Sequence, residues 1–160
     1  MSRIVVVGGG RYGVALTHTL LEQNHKITLL EADPERAGEL AAKFGRVVVA
    51  GNGLNRHTLN GVIHTGLLGR AADWVVPCTC DDLTNLTCAL TARYVSSKVK
   101  ICLRVEDTKR LAFLRSVDKV IPAPLYIPPE TFASAAVLML LSFESAAEKS
   151  RQGPEHWSPP

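Results

Sequence analysis

"IVVVGGGRYGVAL", residues 4–16, joins four apolar β-formers to three consecutive glycines, an arginine, a tyrosine and a fourth glycine. A strand that empties into a glycine turn and then an amphipathic helix is suited to holding a phosphate group. Gly8, Gly10 and Gly13 form G-x-G-x-x-G. In that pattern Gly8 makes the tight turn out of the strand, Gly10 lets a phosphate approach the backbone, and Gly13 brings the helix close to the sheet. Glu31 follows about twenty residues on, at the end of a second apolar run, where an acid accepts hydrogen bonds from a ribose diol. A carboxylate there repels the extra phosphate of NADP. Ala32 and Asp33 come next, with no arginine among them to reverse the effect. The expected ligand carries a free ribose diol, as in NAD(H), ATP, ADP or AMP. Arg11 adds a fixed cation to the loop, able to reach a terminal phosphate through a charge-assisted bond.

Outward from this motif the chain alternates short apolar runs with amphipathic ones. Strands are predicted at Arg3–Val7, Lys26–Leu30, Arg46–Ala50, Asp73–Pro77, Lys100–Val105 and Lys119–Ile121. Most are continuous apolar runs, the mark of strands covered on both faces. Helices are predicted at Gly10–Gln23, Pro34–Phe44, Leu83–Ser96 and Thr108–Ser116, with a short helix near Asn55–Asn60 leading into an irregular loop. Asp33 is a natural N-cap and Pro34 suits a first helical turn. The expected fold is α/β: a Rossmann-like doubly wound parallel sheet of about six strands with a C-terminal helix. Residues 1–122 form the nucleotide-binding domain on this reading. Residues 123–149 form a proline-rich link and a helix from Glu130 to Lys149, and 150–160 a loose tail. Phe132, Ala136, Val137, Leu140, Leu141 and Phe143 give that helix a broad apolar face, expected to meet a second subunit.

Composition narrows the classes. The 160 residues are 46% hydrophobic and 21% charged, with a net charge of +3 and no basic stripe, so nucleic acid is not an expected partner. The apolar run at residues 4–7 is too short for a signal peptide, and Phe132–Phe143 falls short of a membrane span. The expectation is a cytoplasmic protein that meets a membrane only through a partner. Cys88 and Cys102 fall in predicted elements and read as buried hydrophobes. Cys78 and Cys80 form C-x-C, but the five histidines are dispersed and no second pair stands at zinc spacing, so neither metal nor disulfide is expected. Side chains two apart on an extended strand share a face, so the two thiols are placed to approach each other.

"IVVVGGGRYG", "ITLLEADPER", "VVPCTCDDLTNL", "ICLRVED" and "IPPETF" stand in the order and spacing of the TrkA-N/RCK family, the domains that regulate potassium conductance in bacterial channels and transporters. The resemblance covers about residues 3 to 136. It implies a non-catalytic domain that binds NAD(H), ATP or ADP, assembles as a dimer or ring, and gates a membrane-embedded potassium channel or transporter subunit. It implies phosphate contacts from Gly8, Gly10, Gly13, Arg11 and Arg104, a ribose contact from Glu31, and a place beside the nucleotide for Thr79. Tyr12 belongs to the same loop, and Ala32 follows the acid. Asn52 stands where the family usually has aspartate, near the adenosine, and keeps hydrogen bonding without the charge. The family's cation-binding acid falls near Glu130, after a longer proline link, and the second ligand-binding subdomain of many relatives does not follow. A first strand beginning at residue 3 favours a separate subunit. Two other readings stay open: an NAD-dependent oxidoreductase, for which His57 or His64 would be the proton donor, and the regulatory domain of a cation–proton antiporter.

Overall fold

A computed structural model describes residues 1–65 and 70–107 and the backbone of 125–127. Five parallel strands, β1 (Arg3–Val7), β2 (Lys26–Glu31), β3 (Val48–Ala50), β4 (Trp74–Pro77) and β5 (Lys100–Arg104), run in the order 3-2-1-4-5. A sixth, β6 (Leu125–Ile127), pairs parallel with β5 at the edge. The helices are α1 (Arg11–Glu22), α2 (Pro34–Phe44), α3 (Arg56–Ile63) and α4 (Asp82–Val95).

Alternate residues of the apolar runs point to opposite faces of the sheet, and each face has its own core. Ile4 and Val6 of β1, Ile27 and Leu29 of β2, and Trp74 and Val76 of β4 pack with Leu16 and Leu20 of α1 and Leu40 of α2. Val5, Val7, Leu30, Val75, Ile101 and Leu103 pack on the other face with Leu59, Ile63 and Ala89 of α3 and α4. This double covering explains why the strands are continuously apolar rather than alternating.

Most expected elements form within a residue or two of their predicted limits. The third strand is shorter than expected because α2 runs into a single 3₁₀ turn, Gly45–Val47, entered through Gly45 at φ 66°. The helix expected near Asn55–Asn60 continues to Ile63. Asn55 caps it, accepting from the His57 and Thr58 amides at 2.9 and 3.2 Å, and Gly61 is carried without a packing role. The sixth strand lies at Leu125–Ile127, inside the stretch read as a stiff link. Pro124 and Pro128 flank it, so proline interrupts no rung of the ladder. The strand expected at 119–121, the helices at Thr108–Ser116 and Glu130–Lys149 and the 150–160 tail lie outside the described residues. So does the expected dimer contact. Among the described residues no helix is long and apolar enough to cross a membrane.

Candidate functional site

The carboxyl ends of β1, β2, β4 and β5 and the loop after β3 enclose a cavity of about 380 Å³. Gly8, Gly10, Arg11, Tyr12, Glu31, Ala32, Asn52, Thr79 and Arg104 all line it. Gly13 does not; it sits behind the loop, as its packing role requires. Gly8 takes φ 106°, a conformation open to glycine. A Cβ on Gly13 would collide with the Gly8 carbonyl oxygen and reach 3.3 Å from the Cys78 sulfur. A Cβ on Gly10 would meet nothing within 4 Å, so the outer face of the loop stands open toward the cavity.

The loop is anion-ready for a second reason. Helices α2, α3 and α4 are each capped by a side chain, from Asp33, Asn55 and Asp81. Helix α1 has no side-chain cap and no acid in its first turn. Its first N–H groups and the positive end of its dipole are left to a ligand.

Glu31 ties the second strand to the loop. Its Oε2 accepts from the Gly9 amide at 2.5 Å and its Oε1 from the Asp33 amide at 2.9 Å. Gly9, the middle glycine outside the motif, thus has its own function: a Cβ there would strike Leu40 and come within 2.7 Å of Glu31 Oε2. Arg36, one turn into α2, swings back to within 3.5 Å of the Gly9 carbonyl while pairing with Glu39 at 2.7 Å. The absence of an arginine beside Glu31 in sequence is therefore not its absence in space.

On the opposite wall Asn85, fully buried on α4, organises the ends of β4 and β5. Its Oδ1 accepts from the Thr79 amide at 2.8 Å and the Thr79 hydroxyl at 2.7 Å, and its Nδ2 donates to the carbonyls of Thr79 and Arg104 at 3.1 and 3.2 Å. Arg104 is 3% exposed. Its Nη1 donates to the Thr79 carbonyl at 2.7 Å, and its guanidinium carbon lies 4.5 Å from the centre of the Tyr12 ring. Arg11 approaches the same ring at 5.1 Å and donates to the Tyr12 hydroxyl at 3.2 Å. Two cations thus flank one aromatic ring at the phosphate-loop end of the cavity. Buried Nε of Arg104 has no partner among the described residues. An open glycine face, an uncapped helix start and an unpaired guanidinium N–H together fit a phosphate-bearing ligand.

At the other end, Val7, Leu30, Gly51, Gly53, Leu54 and Cys88 make a mainly apolar wall. Asn52 Oδ1 accepts from the Leu54 amide at 2.8 Å and holds this loop folded. None of the described histidines lines the cavity; His57 borders a separate hollow with Arg56, Asn60 and Tyr94.

The C-x-C pair divides. Cys78 is buried, its thiol donating toward the Val7 carbonyl at 3.4 Å, while Cys80 is exposed. Strand β4 ends at Pro77, so the alternation that would have put both thiols on one face does not continue through them. No group of three metal-ligating side chains occurs among the described residues. Burial pushes the Cys78 thiol up to about 12 against the pull of the Arg104 guanidinium, and burial does the same to Cys88. Iodoacetamide at pH 8 is therefore expected to label Cys80 in the native protein and to spare Cys78, Cys88 and Cys102 until denaturant is added. Peptide mass spectrometry checks this, and equal labelling of Cys78 would contradict the burial described.

Solved structures share the architecture. The TrkA-N domain of the inner membrane protein ybaL from Escherichia coli aligns with a TM-score of 0.63 at 21% identity, over 88% of this chain and 96% of that one. GsuK bound to ADP aligns at 0.64 and 22%, over 79% and 31%. A short chain dehydrogenase/reductase family oxidoreductase from Aeromonas hydrophila also aligns, at 0.58 and 16%, over 86% and 90%, so the fold alone does not separate regulators from enzymes. Sequence does more. A Trk system potassium uptake protein TrkA homolog from Methanothermobacter thermautotrophicus is 32% identical over 105 residues, which is 65% of this chain and 45% of the relative. Streptomyces coelicolor TrkA is 28% identical over 109 residues, 67% of this chain and 46% of the relative. The chain spans about half the length of these curated relatives. With the sequence profile of the TrkA-N domain matching residues 4–123, across the whole strand-and-helix alternation that builds the cavity, the chain belongs to the TrkA-N domain family.

Proposed function

We propose that this chain is a nucleotide-sensing regulatory domain of a potassium channel or transporter, binding NAD(H), ATP or ADP in the cavity at the carboxyl ends of its strands. The observation that carries the reading is the convergence of Arg11 and Arg104 on Tyr12 beside an uncapped helix start, with Glu31 across the cavity. Such a site suits a ligand with a free ribose diol and a charged phosphate chain. Kinship with TrkA potassium uptake proteins and the solved ADP complex of GsuK support the same direction. The ligand is a signal on this reading. Different nucleotides stabilise different arrangements of paired domains, and a ligand shifts such an equilibrium by its difference in affinity for the two states, typically about 1–3 kcal/mol. The domain works at least as a dimer at the inner face of the membrane, held there by its pore-forming partner. An oxidoreductase would need a proton donor at the nicotinamide, and neither His57 nor His64 lines the cavity.

Arg11 provides the test. A helix N-terminus carries about half a unit charge, too little for a triphosphate. Arg11→Ala is expected to cost ATP about 1–2 kcal/mol more than ADP or NADH, the loss of one charge-assisted bond. Parallel calorimetric titrations with the three nucleotides measure it. Equal losses for all three would mean that Arg11 shapes the loop without reading the ligand.

A further inference from the structure

Arg104 is committed on most sides. Nη1 is held by the Thr79 carbonyl, the Tyr12 ring covers the guanidinium, and Nη2 lies 2.9 Å from Glu106 Oε2. Nε remains buried and without a partner among the described residues. Nε and Nη2 share one edge of the planar guanidinium, an edge that grips a phosphate through two parallel N–H bonds. One of its two nitrogens is already engaged by a carboxylate.

Glu106 differs from the residues around it. It stands just beyond β5 with its side chain 58% exposed, and it does not line the nucleotide cavity. It borders a separate acidic hollow with Asp81, Asp82 and Asp107 and reaches Arg104 from outside. Its backbone is anchored independently of its carboxylate: the Glu106 amide donates to Asp82 Oδ1 at 2.7 Å and the Asp107 amide to Asp82 Oδ2 at 3.0 Å. The acid is thus kept beside the arginine, and its exposed carboxylate can turn into water once a phosphate takes over the pairing with the buried guanidinium. A phosphate taking the Nε–Nη2 edge would satisfy the buried Nε, which Glu106 at Nη2 leaves unpaired.

We propose that Glu106 is a built-in competitor for the ligand's phosphate: it neutralises Arg104 when no phosphate is bound and yields the guanidinium edge when one enters. This deepens the nucleotide reading and rests on it. Glu106 then sets the affinity for phosphate-bearing ligands without affecting recognition of the nucleoside.

The test compares ADP with adenosine by calorimetry at low ionic strength, in wild type and Glu106→Gln. The variant keeps the backbone anchor and removes the competing charge at an exposed position. It is expected to bind ADP about three- to tenfold more tightly and adenosine equally well. The gain should shrink as salt is added. In an Arg104→Gln background the same substitution should change nothing. If that buried replacement does not fold, the ratio of ADP to adenosine affinity in Glu106→Gln decides alone. Unchanged or weaker ADP binding by Glu106→Gln, or an equal gain for adenosine, would overturn the competitor role and leave the nucleotide site standing. Failure of the wild type to bind any adenosine nucleotide would overturn both.

Discussion

Glu31→Ala is expected to bind ADP about thirty- to a hundredfold more weakly than wild type, a loss of about 2–3 kcal/mol. Two effects combine. The ribose diol loses a charged acceptor, and the Gly9 and Asp33 amides lose the carboxylate that holds the loop in its ligand-ready form. Glu31→Gln, which keeps one acceptor oxygen, should fall between the two. Glu31→Arg should also relax discrimination against NADPH, because Arg36 already reaches the neighbouring Gly9 carbonyl and a second cation would complete a site for the 2′-phosphate. Calorimetry with ADP, NADH and NADPH measures both effects. Unchanged affinity and selectivity would show that the ligand does not lie across the end of β2.

The second large effect falls on stability. Gly13→Ala adds one methyl group where the nearest atom is the Gly8 carbonyl oxygen, a backbone atom at the tight turn out of β1. Backbone cannot step aside as a flexible side chain does, so α1 must lift from the sheet or the turn must open. The cost is expected to be about 2–4 kcal/mol, at the upper end for overpacked sites. Urea denaturation should show it as a lower midpoint with an unchanged slope. Gly10→Ala is the contrast, since a Cβ at that position meets open space and should scarcely move the midpoint. A Gly13→Ala protein as stable as wild type would mean that the close approach of helix and strand does not constrain the fold.

The two substitutions also mark what was legible in the sequence. Glycine spacing, an apolar strand before it and an acid after the next strand are local signals, and each keeps its geometric place in the folded chain. The doubly wound sheet was legible because both faces of every central strand must be apolar. Arg104 and Thr79 carried no pattern of their own and were marked by resemblance alone. Asn85 stood in the family-like stretch "VVPCTCDDLTNL" but was given no role, because the bond partners of a buried amide, here two strand ends, are set by tertiary approach and not by spacing. Arg36 was overlooked beside Glu31 because one helical turn, not adjacency, brings it back to the loop. The C-x-C pair was misread as sharing a face because the strand stops at Pro77. The strand Leu125–Ile127 was read as part of a link because its apolar residues sit among prolines, a context that signals a link until the strand is seen to fit between them.

Helix α4 is fastened at both ends, most densely at its first turns, while at its last turn Arg93 Nη1 donates to the Val99 carbonyl at 2.8 Å. In its first turns Asp82 grips the chain just past β5, and Asn85 grips Thr79 and Arg104, so six bonds to the ends of β4 and β5 converge on one end of a 14-residue rod about 21 Å long. At the far end Tyr94 lies 72% exposed, stacked on Arg56 of α3. The bonds at its first turns tie the helix to the rim of the crevice, and buried Cys88, Ala89 and Ala92 seat its length against the sheet. A shift of α4 along its axis is therefore expected to be felt at Thr79 and Arg104, because Asn85 bonds both.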